Sequence, residues 1–221
     1  MFEQLMQLPL FQGASLEQIT AIAEKYPLHF LKFADGETIV NTGDCCDHVR
    51  FIISGSVTVT VSSSMRQLRF EHTLNAPEVM GAGYLFGLDN TYPYTATAKG
   101  ACGILQLRKS DYVTILQSDR VFLFNILNYL SIAKQKRVLS LKMITKANIA
   151  ERLAMTVATL TTQSSTDITL HYCQKDLCSL LGVHRNTLVT TLQHLADEGL
   201  IEYTADQIRF IAPRRLFELI K

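Results

Sequence analysis

The chain of 221 residues has no tryptophan, only five prolines, and no apolar run long enough to span a bilayer. Its N-terminus, MFEQLMQLPLF, lacks the basic start and long apolar core of a secretory leader, so a cytoplasmic protein without membrane contact is expected. Disulfide chemistry has little to work with. The five cysteines, Cys45, Cys46, Cys102, Cys173 and Cys178, are odd in number and scattered, as reduced thiols of a cytosolic protein would be. Cys102 and Cys178 fall in apolar patterns and are expected in the core. The adjacent pair Cys45–Cys46 sits in a polar turn outside any CxxC motif, weak evidence for a metal or redox role, so no metal site is assigned. Charge of one sign is also missing. Twenty-one basic residues face 20 acidic ones for a net charge of +1, and Lys146–Lys221 carries eight of each. Such a balance gives no general attraction to nucleic acid or membrane, and any such contact has to come from charge placed locally.

What is present is most informative between Gln174 and Gly199, QKDLCSLLGVHRNTLVTTLQHLADEG. Leu177, Leu180 and Leu181 form the apolar stripe of one short helix, at the spacing of a helix packed on one side. Gly182 stands where that helix needs a left-handed residue to close, and Val183 would fill the angle to the next helix. Leu188, Leu192 and Leu195 are the buried stripe of the second helix, and Gly199 ends it. Two helices joined by a tight glycine turn make a helix-turn-helix, which places its second helix in the major groove of DNA. Off the apolar stripe of that helix lie His184, Arg185, Asn186 and Thr190. Arginine can give two bonds to guanine, and asparagine can read adenine in a bidentate manner. The flanking Lys175 is a further candidate contact. LIEY and IRFI around TADQ read as a small hairpin, a wing carrying Arg209, with Arg214 and Arg215 close behind to meet phosphates. The same pattern also suits a surface helix of an all-helical domain that never meets DNA.

Toward the N-terminus, Leu16–Lys25 is expected to be a helix, with Ser15 as its cap and Gln18 three residues on in a capping-box position; Pro27 stops it. From there to about Lys109, segments such as HFLKF, ETIV, VRFIIS, SVTVTV, LRFEHTL and GILQLRK alternate with Gly-bearing turns, the pattern of a β-sandwich or barrel. From Asp111 to about Ile144 there is neither Gly nor Pro, and apolar residues are dense. One helix over this stretch would be about 50 Å long. It is expected to bury one side on its own domain and the other, through Leu123, Ile126, Leu127 and Leu130, on a second copy of itself. A second helix at about Ala147–Thr162 and a short strand at Ile168–Leu170 lead into the helix-turn-helix. The expected division is a β-barrel domain at 1–110, a dimerisation helix at 111–144, and a winged helix-turn-helix at 145–221: an α+β chain.

This order, together with FADGETIVNTGD, FIISGSVTV, GAGYLFG, TATAKGACGILQL and LCSLLGVHRNTLVTTLQHLADEGLI, resembles the catabolite activator/FNR (CRP/FNR) family of bacterial transcription regulators over essentially the whole chain. The resemblance implies a cyclic-nucleotide-binding-like jelly roll and a homodimer that reads a palindromic site, with RNA polymerase as a partner. It implies that an effector in the barrel reorients the recognition helices. It places Arg185 at the family's guanine-reading arginine. Asn186 stands where the catabolite activator has a glutamate, and Thr190 where it has a second arginine. His184 replaces a small hydroxyl residue that would cap the helix, and Thr191 stands at a position usually apolar.

The effector site departs further from the family. Cyclic-AMP-binding members open the phosphate cassette with Gly-Glu and close it with Arg-Ser or Arg-Thr. Here Gly81–Ala82 and Tyr92–Pro93 occupy those places, and Lys99 and Arg108 are the nearest cations along the later strands. A buried phosphate without a counter-charge is costly, so cyclic AMP is disfavoured. Gly81, Ala82, Tyr84, Phe86, Tyr92, Tyr94 and Thr95 would line a pocket for an uncharged or aromatic ligand, or simply fill the space. No cofactor is expected. The clustered N-terminal cysteines of iron–sulfur sensors are missing, and His29, His48 and His72 are isolated. A regulatory module of a larger assembly would lack the C-terminal winged helix. A cupin-like metalloenzyme would need a His-x-His pair that does not occur. No Gly-x-Ser-x-Gly elbow or P-loop is found, and the chain is not expected to be an enzyme.

Overall fold

In the computed structural model, which describes residues 6–63, 67–144, 148–162 and 164–219, the chain divides into two compact units. The first takes residues 1–59 and 74–133, the second 60–73 and 134–221. No helix among the described residues is long and apolar enough to cross a membrane.

In the first unit, helix α1 (Leu16–Lys25) starts on a complete capping box. The Ser15 hydroxyl accepts from the Gln18 amide, and the Gln18 side chain accepts from the Ser15 amide. Six strands follow: β1 (His29–Phe33), β2 (Thr38–Val40), β3 (His48–Ser62), β4 (Leu68–Asn75), β5 (Glu78–Met80) and β6 (Thr95–Arg108). Strand β6 is central. It pairs antiparallel with β1 from His29↔Gln106 to Phe33↔Cys102, and with β2 at Thr38↔Thr97. On its other side β3 follows, which also pairs with β5 at Arg50↔Met80. Strand β3 alternates buried Val49 and Phe51 with partly exposed Arg50, the period-2 pattern of a sheet with one face in the core.

Where one long helix was expected there are two, α2 (Lys109–Ser118) and α3 (Arg120–Ile144). The break is at Asp119, whose backbone is extended at φ −139° and ψ 125°. An aspartate favours this role because its carboxylate can take an orphan amide of the next helix. Asp119 Oδ1 accepts from the Val121 amide at 2.8 Å, and Oδ2 holds the Gln18 side chain. Helix α3 packs on its own unit through Phe122 and Ile126; Phe122 meets Phe11 edge-on at 5.8 Å. Asn125 donates to the carbonyls of Leu10 and Gln12, fixing the N-terminal turn.

The second unit holds α4 (Ile149–Leu160), β7 (Thr166–Tyr172), α5 (Gln174–Leu181), α6 (Arg185–Asp197), β8 (Ile201–Tyr203), β9 (Gln207–Phe210) and α7 (Pro213–Glu218). Helix α4 opens on a second capping box, between Asn148 and Glu151. The expected break at 141–146 runs into residues 145–147, which lie outside the described residues. The sheet of this unit runs β8–β9–β7 and continues into the outer part of β4. The β4–β7 pairing runs antiparallel from Leu68↔Tyr172 to Thr73↔Thr166. Phe70 of β4 therefore shares one core with Leu153, Leu177, Leu188, Leu195 and Leu216. No sequence pattern announced that Thr60–Thr73, inside the expected barrel, belongs with the helix-turn-helix.

Candidate nucleic-acid interface and effector pocket

The turn between α5 and α6 is built as its glycine suggests. Gly182 adopts φ 66° and ψ 41°, the left-handed conformation a side chain would disfavour. The Val183 amide returns to the Cys178 carbonyl at 3.0 Å, and Arg152 of α4 donates from Nη1 to the Leu181 carbonyl at 2.9 Å. A cation therefore closes the negative end of α5. Helix α6 leaves this turn with Leu188, Leu192 and Leu195 buried and with His184, Arg185, Asn186 and Thr190 exposed. His184 has the extended backbone of an N-cap but makes no side-chain cap bond, so the first-turn amides of α6 receive no side-chain acceptor from it. Thr191, half-buried, satisfies its hydroxyl on the Thr187 carbonyl at 2.9 Å.

The wing is a hairpin of β8 and β9 in the register Ile201↔Phe210 to Tyr203↔Ile208. Its Tyr203 hydroxyl donates to Gln193 Oε1 at 3.0 Å, which ties the wing to α6. Arg209 lies across the hairpin from Glu202 at 3.7 Å with both side chains largely exposed, a weak pairing that leaves the guanidinium available to a phosphate. Arg214 and Arg215 are exposed on α7. Lys175 is exposed at the start of α5. It lines a groove of about 830 Å³ with Ser62, Arg69, His171 and Asp206, and Asp176 in its wall accepts from the Gln67 amide at 2.9 Å.

In the first unit, four of the seven residues expected around an effector come together. Tyr84 and Tyr94 meet edge-on with centroids 5.9 Å apart, and Tyr92 and Tyr94 at 5.5 Å. Gly81 closes the cluster. Its φ is +79°, and a Cβ there would come within 2.6 Å of the Tyr92 ring, so both backbone and space require glycine. Ala82 is buried in the short turn Ala82–Tyr84. Phe86 and Thr95 point elsewhere: Lys109 lies 5.3 Å over the Phe86 ring, and the Thr95 hydroxyl accepts from the Thr42 amide at 3.2 Å.

The cations expected near this cluster are Lys99 and Arg108, on the later strands. The structure supplies one from an earlier strand. Arg50 of β3 donates from Nη1 to the Tyr92 hydroxyl at 2.7 Å, with its guanidinium 5.6 Å from the ring centroid. A signal existed: Arg50 is the one charge within the apolar run VRFIIS. Tyr92 is 1% exposed, and burial pushes its phenol well above the usual tyrosine range. Cys46, also buried, contacts the Gly81 carbonyl through Sγ at 3.5 Å, and burial raises its thiol too. Tyr129 of α3 is pushed up to about 12 by burial, with the charge of Glu78 adding to it. Tyr92 is thus held inside the cluster between Arg50 and Gly81.

On α3, Leu123 and Leu127 are exposed and Leu130 is half-buried, whereas Ile126 is 3% exposed and faces its own unit. Phe124, at 59% exposure, belongs to the free side and was missed. Among the described residues no three metal-ligating side chains converge.

Comparison with known proteins bears on both units. The cyclic nucleotide-binding domain family matches residues 30–119, and the Crp-like helix-turn-helix domain family matches residues 151–219. The cAMP-activated global transcriptional regulator Vfr of Pseudomonas aeruginosa is 20% identical over 181 residues, spanning 78% of this chain and 85% of that protein. The crystal structure of Thermus thermophilus catabolite activator protein aligns with a TM-score of 0.54 at 21% identity, covering 96% of this chain and 98% of that one. The sensor domain of the transcriptional regulator DNR from Pseudomonas aeruginosa aligns with a TM-score of 0.52 at 19% identity, over 62% of this chain and 89% of that one.

Proposed function

The chain belongs to the CRP/FNR family of bacterial transcription regulators, and on that premise we propose that it binds a palindromic DNA site as a homodimer, without a cyclic-nucleotide signal. The observation that carries the reading of DNA is the division of α6. Its leucines are buried, while Arg185 and Asn186 stand exposed at the end that approaches base edges. Arg185 would read guanine, Asn186 the neighbouring pair, and Lys175, His184 and Arg209 the backbone. RNA polymerase is the partner that family membership implies for the bound dimer.

Support for the dimer comes from α3. Leu123, Phe124, Leu127 and Ile132 are exposed on the side of the helix away from Phe122 and Ile126. A second copy would remove this apolar surface from water.

Support for an unusual effector unit comes from Tyr92. Where the family's cyclic-AMP-binding members carry a cassette arginine, a buried phenol stands, held by Arg50 and packed on Gly81. A cyclic phosphate would have to displace that ring and break the Arg50 bond. The deciding experiment is selection of bound sequences from random DNA by the purified protein with no ligand added. Enrichment of an inverted repeat with half-sites about 34 Å apart is expected; no enrichment in the absence of ligand, followed by enrichment with cyclic AMP, would reverse the reading of the first unit.

A further inference from the structure

The exposed arc of α6 contains a residue that neither the helix nor its core requires. Val189 is 40% exposed and lies one turn beyond Arg185, between Arg185 and Asn186 around the helix. A β-branched apolar side chain left 40% exposed on a helix gains less from packing than a buried one and has a lower helix propensity than most alternatives. Its neighbours on the arc are already engaged. The Thr190 hydroxyl donates to the Asn186 carbonyl at 3.0 Å. Gln193 donates to Asp197 Oδ1 at 2.8 Å and accepts from Tyr203. Next to Val189, then, the polar side chains of Thr190 and Gln193 already have partners within the protein, and Val189 itself offers two methyl groups.

In the major groove the matching apolar feature is the 5-methyl group of thymine. The geometry points to Val189 as a specificity-determining residue that reads a thymine methyl, with the Thr190 methyl beside it. This inference rests on the DNA-reading function proposed above. Four helical residues advance about 6 Å, so the thymine should lie about two base pairs from the guanine read by Arg185.

The test uses the full-length protein and the site it selects from random DNA. Each thymine of the half-site is replaced in turn by deoxyuridine, which lacks only the methyl, and affinity is measured at fixed salt. One position should lose about three- to fivefold, the scale of one buried methyl group. The loss should vanish in Val189→Ser and persist in Thr190→Val, which keeps the methyl and drops the hydroxyl. Deoxyuridine tolerated at every position, or an equal penalty in Val189→Ser, overturns the assignment while leaving DNA reading intact. Failure to select any site removes the DNA-reading function, and this inference with it.

Discussion

Arg50 and Tyr92 stand 42 residues apart in sequence and share a hydrogen bond of 2.7 Å inside the first unit. Replacing Tyr92 with Phe deletes the acceptor and leaves a half-buried guanidinium without this partner. The expected loss is about 1–3 kcal/mol of stability. In a double-mutant cycle with Arg50→Met, the two changes should cost less together than their sum. Strict additivity in urea unfolding would mean that the bond contributes nothing. The melting temperature of the unaltered protein should not move with added cyclic AMP.

Arg185→Ala should cost about 1–3 kcal/mol at one base position per half-site and relax the preference there, with the oligomeric state unchanged. Binding competitions against sites altered at single positions read this directly. A loss spread evenly over all sequences would mean that Arg185 contacts phosphate instead of a base.

Leu127→Glu places a charge on the exposed side of α3, where the side chain is 48% exposed in the single chain. It should fold normally and sediment as a monomer, with loss of binding to the palindrome. A variant that still sediments as a dimer would move the interface elsewhere.

His72 lies in β4 at 4% exposure, with Nδ1 3.0 Å from the Ser165 hydroxyl and its ring 6.0 Å from that of Phe70. Burial lowers its pKa from 6.5 to about 4. Between those values the unfolded chain binds the proton and the folded chain does not, so stability falls as pH drops through this window. The contribution is fully present above pH 6.5 and is on the order of 3 kcal/mol. Urea unfolding at pH 7 and pH 5 should show the decline, and His72→Gln should flatten it.

The parts legible in sequence were those that local chemistry determines. Ser15 with Gln18 gives a helix start, Gly182 a helix end, and the three leucines of α6 give its buried side and hence its exposed one. What escaped depends on distant partners. The break at Asp119 carries no Gly or Pro; it rests on a side chain that caps α3 while also binding Gln18 from α1. Ile126 has the same character as Leu127, and only the packing around Phe11 and Phe122 tells them apart. Arg50 could be matched to Tyr92 only through the placement of β3, because proximity in the chain pointed to Lys99 and Arg108.

The β4–β7 ladder bears on how the protein can be taken apart. Its helix-turn-helix unit is not a bead on a string, because one strand of its sheet is encoded far upstream of β7, with Leu68 paired to Tyr172, 104 residues away. A fragment begun near residue 148 would keep every residue of the helix-turn-helix and yet present the backbone of β7 as a bare edge. Such an edge recruits strands from other molecules. Domain swaps that exchange only the C-terminal segment should therefore yield sticky, poorly soluble chimaeras, and those that carry Thr60–Thr73 along with it should not.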